Sequence, residues 1–205
     1  VPATMKDSVV IPTFNGGRLL LECVRSILSQ QTKVVLEIMI IDSGSKDGSI
    51  EQISELIEKK DVFNKIIPIK QRDFSHGKTR NLAIGNTSGE IIILLTQDAI
   101  PLGNTWLSNL IAGFESDPQI IGVFGRHKAH KNPPKIIHRN IDNHFLIMGQ
   151  TPIRKIDDID EYNRNEILRQ KLHFFSNNNS AIRRSEWEKI PFPDVAYGED
   201  QTWAK

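Results

Sequence analysis

The residues of this chain with most capacity for chemistry are carboxylates that end apolar runs. "IIILLTQDAIP" carries five apolar residues, Ile91 to Leu95, into Thr96-Gln97-Asp98 before Pro101 closes the run. "LEIMIID" behaves in the same way and ends on Asp42. A carboxylate at the mouth of a buried strand has to be neutralised, paired or put to use. An aspartate there is also a hard oxygen ligand, of the kind magnesium takes from protein in small number. Two further groups stand out. Glu199-Asp200 in "YGEDQTWAK" are neighbouring acids at a helix-start position, which the helix dipole alone would favour. Arg80 in "HGKTRN" offers a guanidinium, a planar fork of donors suited to paired oxygens.

The elements that must position these groups alternate regularly. Strand runs are expected at 8–14, 36–42, 64–70, 90–97 and 120–126. Helical spacing is expected at 18–31, 49–60, 77–86 and 104–116, with Leu20, Val24, Ile27 and Leu28 on one face of the first. Pro68 suggests an edge position for the third strand. Such alternation predicts βαβ units on a mostly parallel sheet flanked by helices. Right-handed crossovers then bring every strand's carboxyl end to one edge, where ligands of such sheets bind. Asn15, Asp42 and Asp98 all fall at that edge.

From about residue 127 the pattern breaks into polar, patchily periodic sequence, with helical spacing at 160–172. "FFSNNNSAIRR" reads as a strand or loop, and "YGEDQTWAK" as a turn into a helix. We therefore expect an α/β core over 1–126 and an irregular elaboration of the same domain over 127–205. The chain opens on Val1-Pro2 and closes as its last helix begins, so a piece of a longer protein, truncated at its C-terminus, is expected.

With 205 residues the chain can bury a full core, and 26 lysines and arginines against 25 acids give no field that argues for nucleic acid. The basic run Arg126 to Lys135 reads as a solvated loop. Cys23 is the only cysteine, which excludes an intrachain disulfide and a thiolate zinc cluster and fits a reducing compartment. No apolar run approaches the roughly 20 residues that span a bilayer, and a soluble protein is expected. His127 and His130, at i and i+3, would form a metal pair only with a further ligand.

Nucleotide signatures narrow the choice. No G-x-G-x-x-G follows the first strand and no G-x-x-x-x-G-K-[ST] occurs, so neither a dinucleotide dehydrogenase nor a P-loop NTPase is indicated. "SGSKDGS" puts Lys46 between its glycines, and reads as a turn with a helix cap. However, "VVIPTFNGGRLLLECVRSILSQ", "IMIIDSGSKDGS", "HGKTRNLAI", "IILLTQDAIP" and "GEDQTWA" together resemble the successive motifs of family 2 glycosyltransferases. These are inverting enzymes with a GT-A fold. The last two motifs most resemble the rhamnosyltransferase-like branch, which implies dTDP-rhamnose as donor.

The resemblance implies roles for the residues. Pro12, Thr13 and Asn15 would form the first nucleotide loop. Asp42 would accept the ring N–H of uracil or thymine, or simply form the turn before Ser43-Gly44. Arg80 and Gln97 would serve the nucleotide and diphosphate; Lys78 reads as solvated and His76 as a capping or core histidine. A divalent cation, Mn or Mg, would stabilise the leaving diphosphate. The family's D-x-D motif appears here as Thr96-Gln97-Asp98, so Asp98 would carry the metal contact and Thr96 offers at most a hydroxyl. Asp200 would take the acceptor's proton. Asn177, Asn179 and Glu199 would line the acceptor side, and Trp203 is either a sugar platform or core.

The implied partners are a dTDP- or UDP-sugar and a saccharide or lipid-linked saccharide, as in polysaccharide biosynthesis. A cytoplasmic site is implied, with room for peripheral association at the inner membrane face. Two alternatives stand beside this reading. One is a non-catalytic nucleotide-sugar or glycan-binding module. The other is a nucleotidyltransferase, which would need a glycine- and basic-rich first loop where "NGGRLLLE" supplies only Arg18.

Overall fold

A computed structural model describes residues 6–32, 34–60, 62–130, 134–150 and 153–205. Lys131 of the basic run lies outside the described residues. In chain order the elements are β1 (Lys6–Thr13), α1 (Gly17–Leu28), β2 (Val35–Asp42), α2 (Ser49–Glu58), β3 (Phe63–Pro68), α3 (His76–Gly85), β4 (Ile91–Leu95), α4 (Trp106–Glu115) and β5 (Gly122–Phe124). Then follow α5 (Lys135–Met148), α6 (Ile159–Arg164), α7 (Glu166–Leu172), β6 (Asn179–Arg183), α8 (Arg184–Lys189) and α9 (Glu199–Trp203).

One six-stranded sheet runs β3-β2-β1-β4-β6-β5, parallel from β3 to β4, with β6 antiparallel to both its neighbours. Alternate residues feed two cores. Val9, Ile11, Ile38, Ile40 and Ile93 pack under α1, α2 and α4. Val10, Met39, Ile41, Ile92 and Leu94 face Ala83 and Ile84 of α3, together with Phe175 and Phe192. Burial on both faces explains why β2 and β4 read as continuous apolar runs and not as alternating ones.

Two features depart from the expected order. The strand at 122–124 does not join β4. It pairs only with β6, which comes from the stretch read as strand or loop and wedges between them. The sheet therefore draws a strand from beyond residue 127. In addition, the periodicity at 160–172 resolves into two short helices broken at Asn165, whose side-chain oxygen caps α7 by accepting from Leu168 N. Pro68 does lie on an edge strand.

The chain winds outward from β1 to β3 and then returns to β4 on the other side of β1. That reversal is a topological switch point, and the crevice beyond the carboxyl ends there is where open α/β sheets take ligands. Thr13 ends β1, and Thr96 to Asp98 follow β4 directly.

Candidate active site at the sheet's switch point

A cavity of about 490 Å³ opens at the switch point. Its wall brings together Pro12, Thr13 and Phe14 after β1, Ser43 after β2, Thr96 to Asp98 after β4, and His76 and Arg80 from α3. Gln71 and Phe74, which precede α3, complete it. The volume falls within the range of small-molecule sites. Of the residues singled out in the sequence, Pro12, Thr13, Arg80, Gln97 and Asp98 meet on this cavity.

Asp98 is exposed there. Its two predecessors face opposite ways. Thr96 donates its hydroxyl to Asn178 Oδ1, and Gln97 Oε1 accepts from Thr13 Oγ1 at 2.7 Å and from Phe14 N at 2.8 Å. The Asp98 carbonyl oxygen accepts from His130 Nε2 at 2.9 Å, which fixes the proton on that ring nitrogen. His127 instead packs at a tilt on Phe145, with centroids 4.9 Å apart, and burial aided by His144 holds its pKa below the usual imidazole value. The two histidines therefore make no metal pair. Among the described residues no cluster of three histidine, cysteine or acidic side chains could hold a metal. The donor set nonetheless fits a hard cation arriving on a diphosphate, because magnesium keeps waters and substrate oxygens beside one or two carboxylates.

Asp42 is buried, and its carboxylate closes the turn that follows it. Oδ1 accepts from Ser45 Oγ at 2.6 Å and from Ser45 N at 3.0 Å, and Oδ2 receives that N–H at 3.2 Å. Asn15 adopts a left-handed φ of 48° and its Oδ1 accepts from Lys46 N at 2.8 Å, so its side chain staples the first loop to the second. Asp47, in the stretch read as a turn with a helix cap, does similar work. It accepts from Gly17 N at 2.8 Å and from Ser49 Oγ at 2.6 Å, and the Ser49 hydroxyl leads the causes that lower its pKa.

A second cluster lies behind the cavity wall. Arg80 Nη1 donates to Glu199 Oε1 at 2.7 Å, with both side chains buried. Burial pulls the Arg80 pKa below its usual value, opposed by Glu199 and Asp200. Asn177 Nδ2 donates to the same Glu199 oxygen at 3.2 Å, and its backbone N–H donates to Asp200 Oδ2 at 3.1 Å. Thus the acids at the start of α9 are held by α3 and by the residues that lead into β6. Gly77 lets α3 lie against the segment ahead of α9, since a Cβ there would overlap the Pro193 carbonyl oxygen.

The structure brings two other residues elsewhere. Asn179 accepts from Trp106 Nε1 at 2.8 Å and donates to the Arg126 carbonyl at 3.4 Å, bracing the sheet and not facing the cavity. Trp203 packs between Phe175 and Phe192, with centroids at 5.6 and 5.5 Å, half-buried against the core. Cys23 is buried and its thiol is pushed up to about 12 by that burial, with the Asp98 charge adding, so it is no nucleophile. His76 lies on the cavity wall edge-on to Phe74 at 5.0 Å, and Lys78 pairs with Asp194 at 2.6 Å on the surface. Asn178 and Phe74 escaped the sequence reading, and His130 was read only as half of a metal pair; the position of Asn178 beside Asn177 is the only signal that pointed to it.

Residues 8–190 match the family model described as Glycosyl transferase family 2. The chain is 38% identical over 194 residues to the O-antigen chain rhamnosyltransferase RfbN of Salmonella typhimurium, covering 93% of this chain and 56% of that protein. It is 31% identical over 191 residues to the O-antigen chain rhamnosyltransferase WbaN of Salmonella anatum, covering 91% and 55%. It therefore spans little more than half the length of these curated relatives. Among solved structures, Staphylococcus aureus TarS 1-349 superposes with a TM-score of 0.68 at 19% identity, over 98% of this chain and 54% of that one. The mannosyltransferase PcManGT of Pyrobaculum calidifontis, solved with GDP-Man and Mn2+, gives 0.68 at 21% identity, over 96% and 50%. At such identities these two likenesses bear on the fold alone, which is the mostly parallel α/β sheet of the GT-A class.

Proposed function

The chain belongs to glycosyl transferase family 2, and from that premise we propose that it moves a sugar, rhamnose, with inversion from a dTDP- or UDP-linked donor to a saccharide or lipid-linked saccharide. The observation that carries this reading is Asp98: an exposed carboxylate on a cavity at the sheet's switch point, with the guanidinium of Arg80 in the same wall. The names of the two Salmonella relatives support rhamnose as the sugar. A lipid-linked acceptor would place the reaction at the cytoplasmic face of the membrane. No helix among the described residues is long and apolar enough to cross one.

Asp98 would hold Mn or Mg, which when bound supplies charge stabilisation to the departing diphosphate. Asp42 retains capacity on Oδ2 to accept the ring N–H of uracil or thymine, because its one contact there is the long bond from Ser45 N. Asp200 takes the acceptor hydroxyl's proton, and the Asn177 N–H that reaches its Oδ2 orients it. Glu199 is engaged by Arg80 and Asn177, so it positions Asp200 and the acceptor side without itself moving a proton.

A thermal-shift titration with dTDP, UDP, GDP and CMP, each with and without manganese, tests the reading. A ligand that binds only the folded form raises stability by about 2.7 kcal/mol at a hundred times its Kd. We expect manganese-dependent stabilisation by dTDP or UDP that Asp98→Ala abolishes. Absence of a shift with any nucleotide would refute it. A second reading, a non-catalytic nucleotide-sugar-binding module, draws on Thr96, which stands where the motif has its first carboxylate and whose hydroxyl is engaged by Asn178. Nucleotide binding without sugar transfer would favour that module.

A further inference from the structure

We propose that Gln97 is a positioning residue: it ties the base-side loop of the cavity to the cation-side turn and does not itself contact the donor. The inference rests on the reading of the cavity as a donor site. The ladder between β1 and β4 pairs Asp7 with Ile91 and runs to Val10 with Leu94, where it stops. Continued in register, it would set Thr13 opposite Gln97. The strands instead part, and the cavity opens between their ends.

The Gln97 side chain spans that opening. Its Oε1 accepts from the Thr13 hydroxyl at 2.7 Å and from Phe14 N at 2.8 Å, while its Nε2 donates to Phe14 O at 3.3 Å. A primary amide is the side chain that offers an acceptor and a donor side by side, so it satisfies both backbone groups of Phe14 as a neighbouring strand would. Loss of either half would leave a backbone group unpaired at the mouth of the site. On the other side, Thr13 O accepts from Ser43 N at 2.9 Å, which extends the tie to the loop after Asp42. Gln97 also sits between Thr96, anchored on Asn178, and Asp98, whose carbonyl is held by His130. The turn that presents the Asp98 carboxylate is thereby fixed to three different segments. Order in the base loop and order in the turn then depend on one another through this amide.

A double-mutant cycle separates positioning from direct contact. Binding of UDP and of dTDP with manganese is measured by calorimetry for the wild type, Thr13→Val, Thr13→Ser, Gln97→Met and Thr13→Val/Gln97→Met. Loss of one hydrogen bond predicts about a 5- to 10-fold weaker Kd for Thr13→Val, and at least that for Gln97→Met. The double variant is expected to bind no more weakly than Gln97→Met alone, since both changes cut the same tie. Thr13→Ser keeps the hydroxyl and should bind within about twofold of the wild type. Factors that multiply in the double variant would mean that each side chain meets the ligand independently, which overturns the proposal. So would an unchanged Kd in Gln97→Met, with nucleotide binding itself intact. If the wild type bound neither nucleotide, the reading of the cavity would fall, and this inference with it. Should Gln97→Met not fold, Thr13→Val against Thr13→Ser decides: equal affinities sink the tie.

Discussion

The buried pair between Arg80 and Glu199 offers the sharpest quantitative test of how the site is held. At 2.7 Å, with side chains 4% and 7% exposed, the two charges attract by roughly 6 kcal/mol at an effective dielectric of about 20. Desolvation of each ion costs several kcal/mol, so the pair's net contribution is close to nothing. Removal of one partner is a different matter, because the other charge stays buried without compensation. We expect Arg80→Met or Glu199→Leu alone to lose about 3–5 kcal/mol, and the double variant to lose less than either, about the 1–3 kcal/mol of the one hydrogen bond that Asn177 forfeits with Glu199. Asn177 Nδ2, which also donates to Glu199, accounts for part of the Glu199→Leu loss and would make that variant the weaker of the two. The assay is urea unfolding of all four proteins, with the midpoint shifting at constant slope. Single effects that simply add in the double variant would show that the pair is not coupled, and Arg80 would then be a free cation for a diphosphate.

Three other predictions follow from particular residues. Asp7 is buried with one carboxylate oxygen unpartnered, and burial raises its pKa from 3.8 to about 6. The folded state thus binds this proton more tightly than the unfolded chain, and stability falls as pH rises from 3.8 through 6. The shift corresponds to about 3 kcal/mol, so Asp7→Asn should gain up to that above pH 6.5 and nothing below pH 3.5, read by urea unfolding across pH. Asp200→Asn should lower kcat about 10²- to 10⁴-fold while leaving the Kd for UDP or dTDP unchanged, and full activity would remove it as the base. Gly77→Ala should destabilise by about 1–3 kcal/mol and loosen Phe192 and Pro193 from α3, seen as faster amide exchange at Phe192, whose N–H donates to Asn81; unchanged exchange there would contradict the close approach.

Much of the fold was legible because both sheet faces are covered. Runs such as Ile91 to Leu95 have no polar face, and their length and flanking turns mark them as interior strands. Pro68 announced an edge because a proline cannot donate to a ladder. By contrast, the place of β6 was not legible. "NSAIR" has no run length or apolar density that sets it apart from a loop, and it becomes a strand because β4 and β5 both offer it partners. Likewise α5 was missed. Ile137, Ile141, Phe145 and Met148 do stand at helical spacing, but its N-terminal half is exposed and only Phe145 is buried, so the stripe lies among polar residues that mask it.

The site was legible in its residue types more than in their use. Polar side chains at strand ends can bind a ligand or pair the backbone groups that the sheet leaves open, and the two uses select the same residues. Asn15, Asn179 and Gln97 carry the amides that would suit a nucleotide or a sugar, yet each is engaged by backbone or side-chain partners that lie far away in sequence. Sequence spacing holds no information about Trp106 meeting Asn179, or about Phe14 lying under Gln97. Asp98 differs because no described side chain donates to its carboxylate: its hydrogen bond from His130 reaches the backbone carbonyl, and the groups on either side of it are engaged in fixing that backbone. A carboxylate held in place but left unpaired by the described residues is what a cation on a diphosphate requires, and its place at the end of an apolar run is what singled out this aspartate in the sequence.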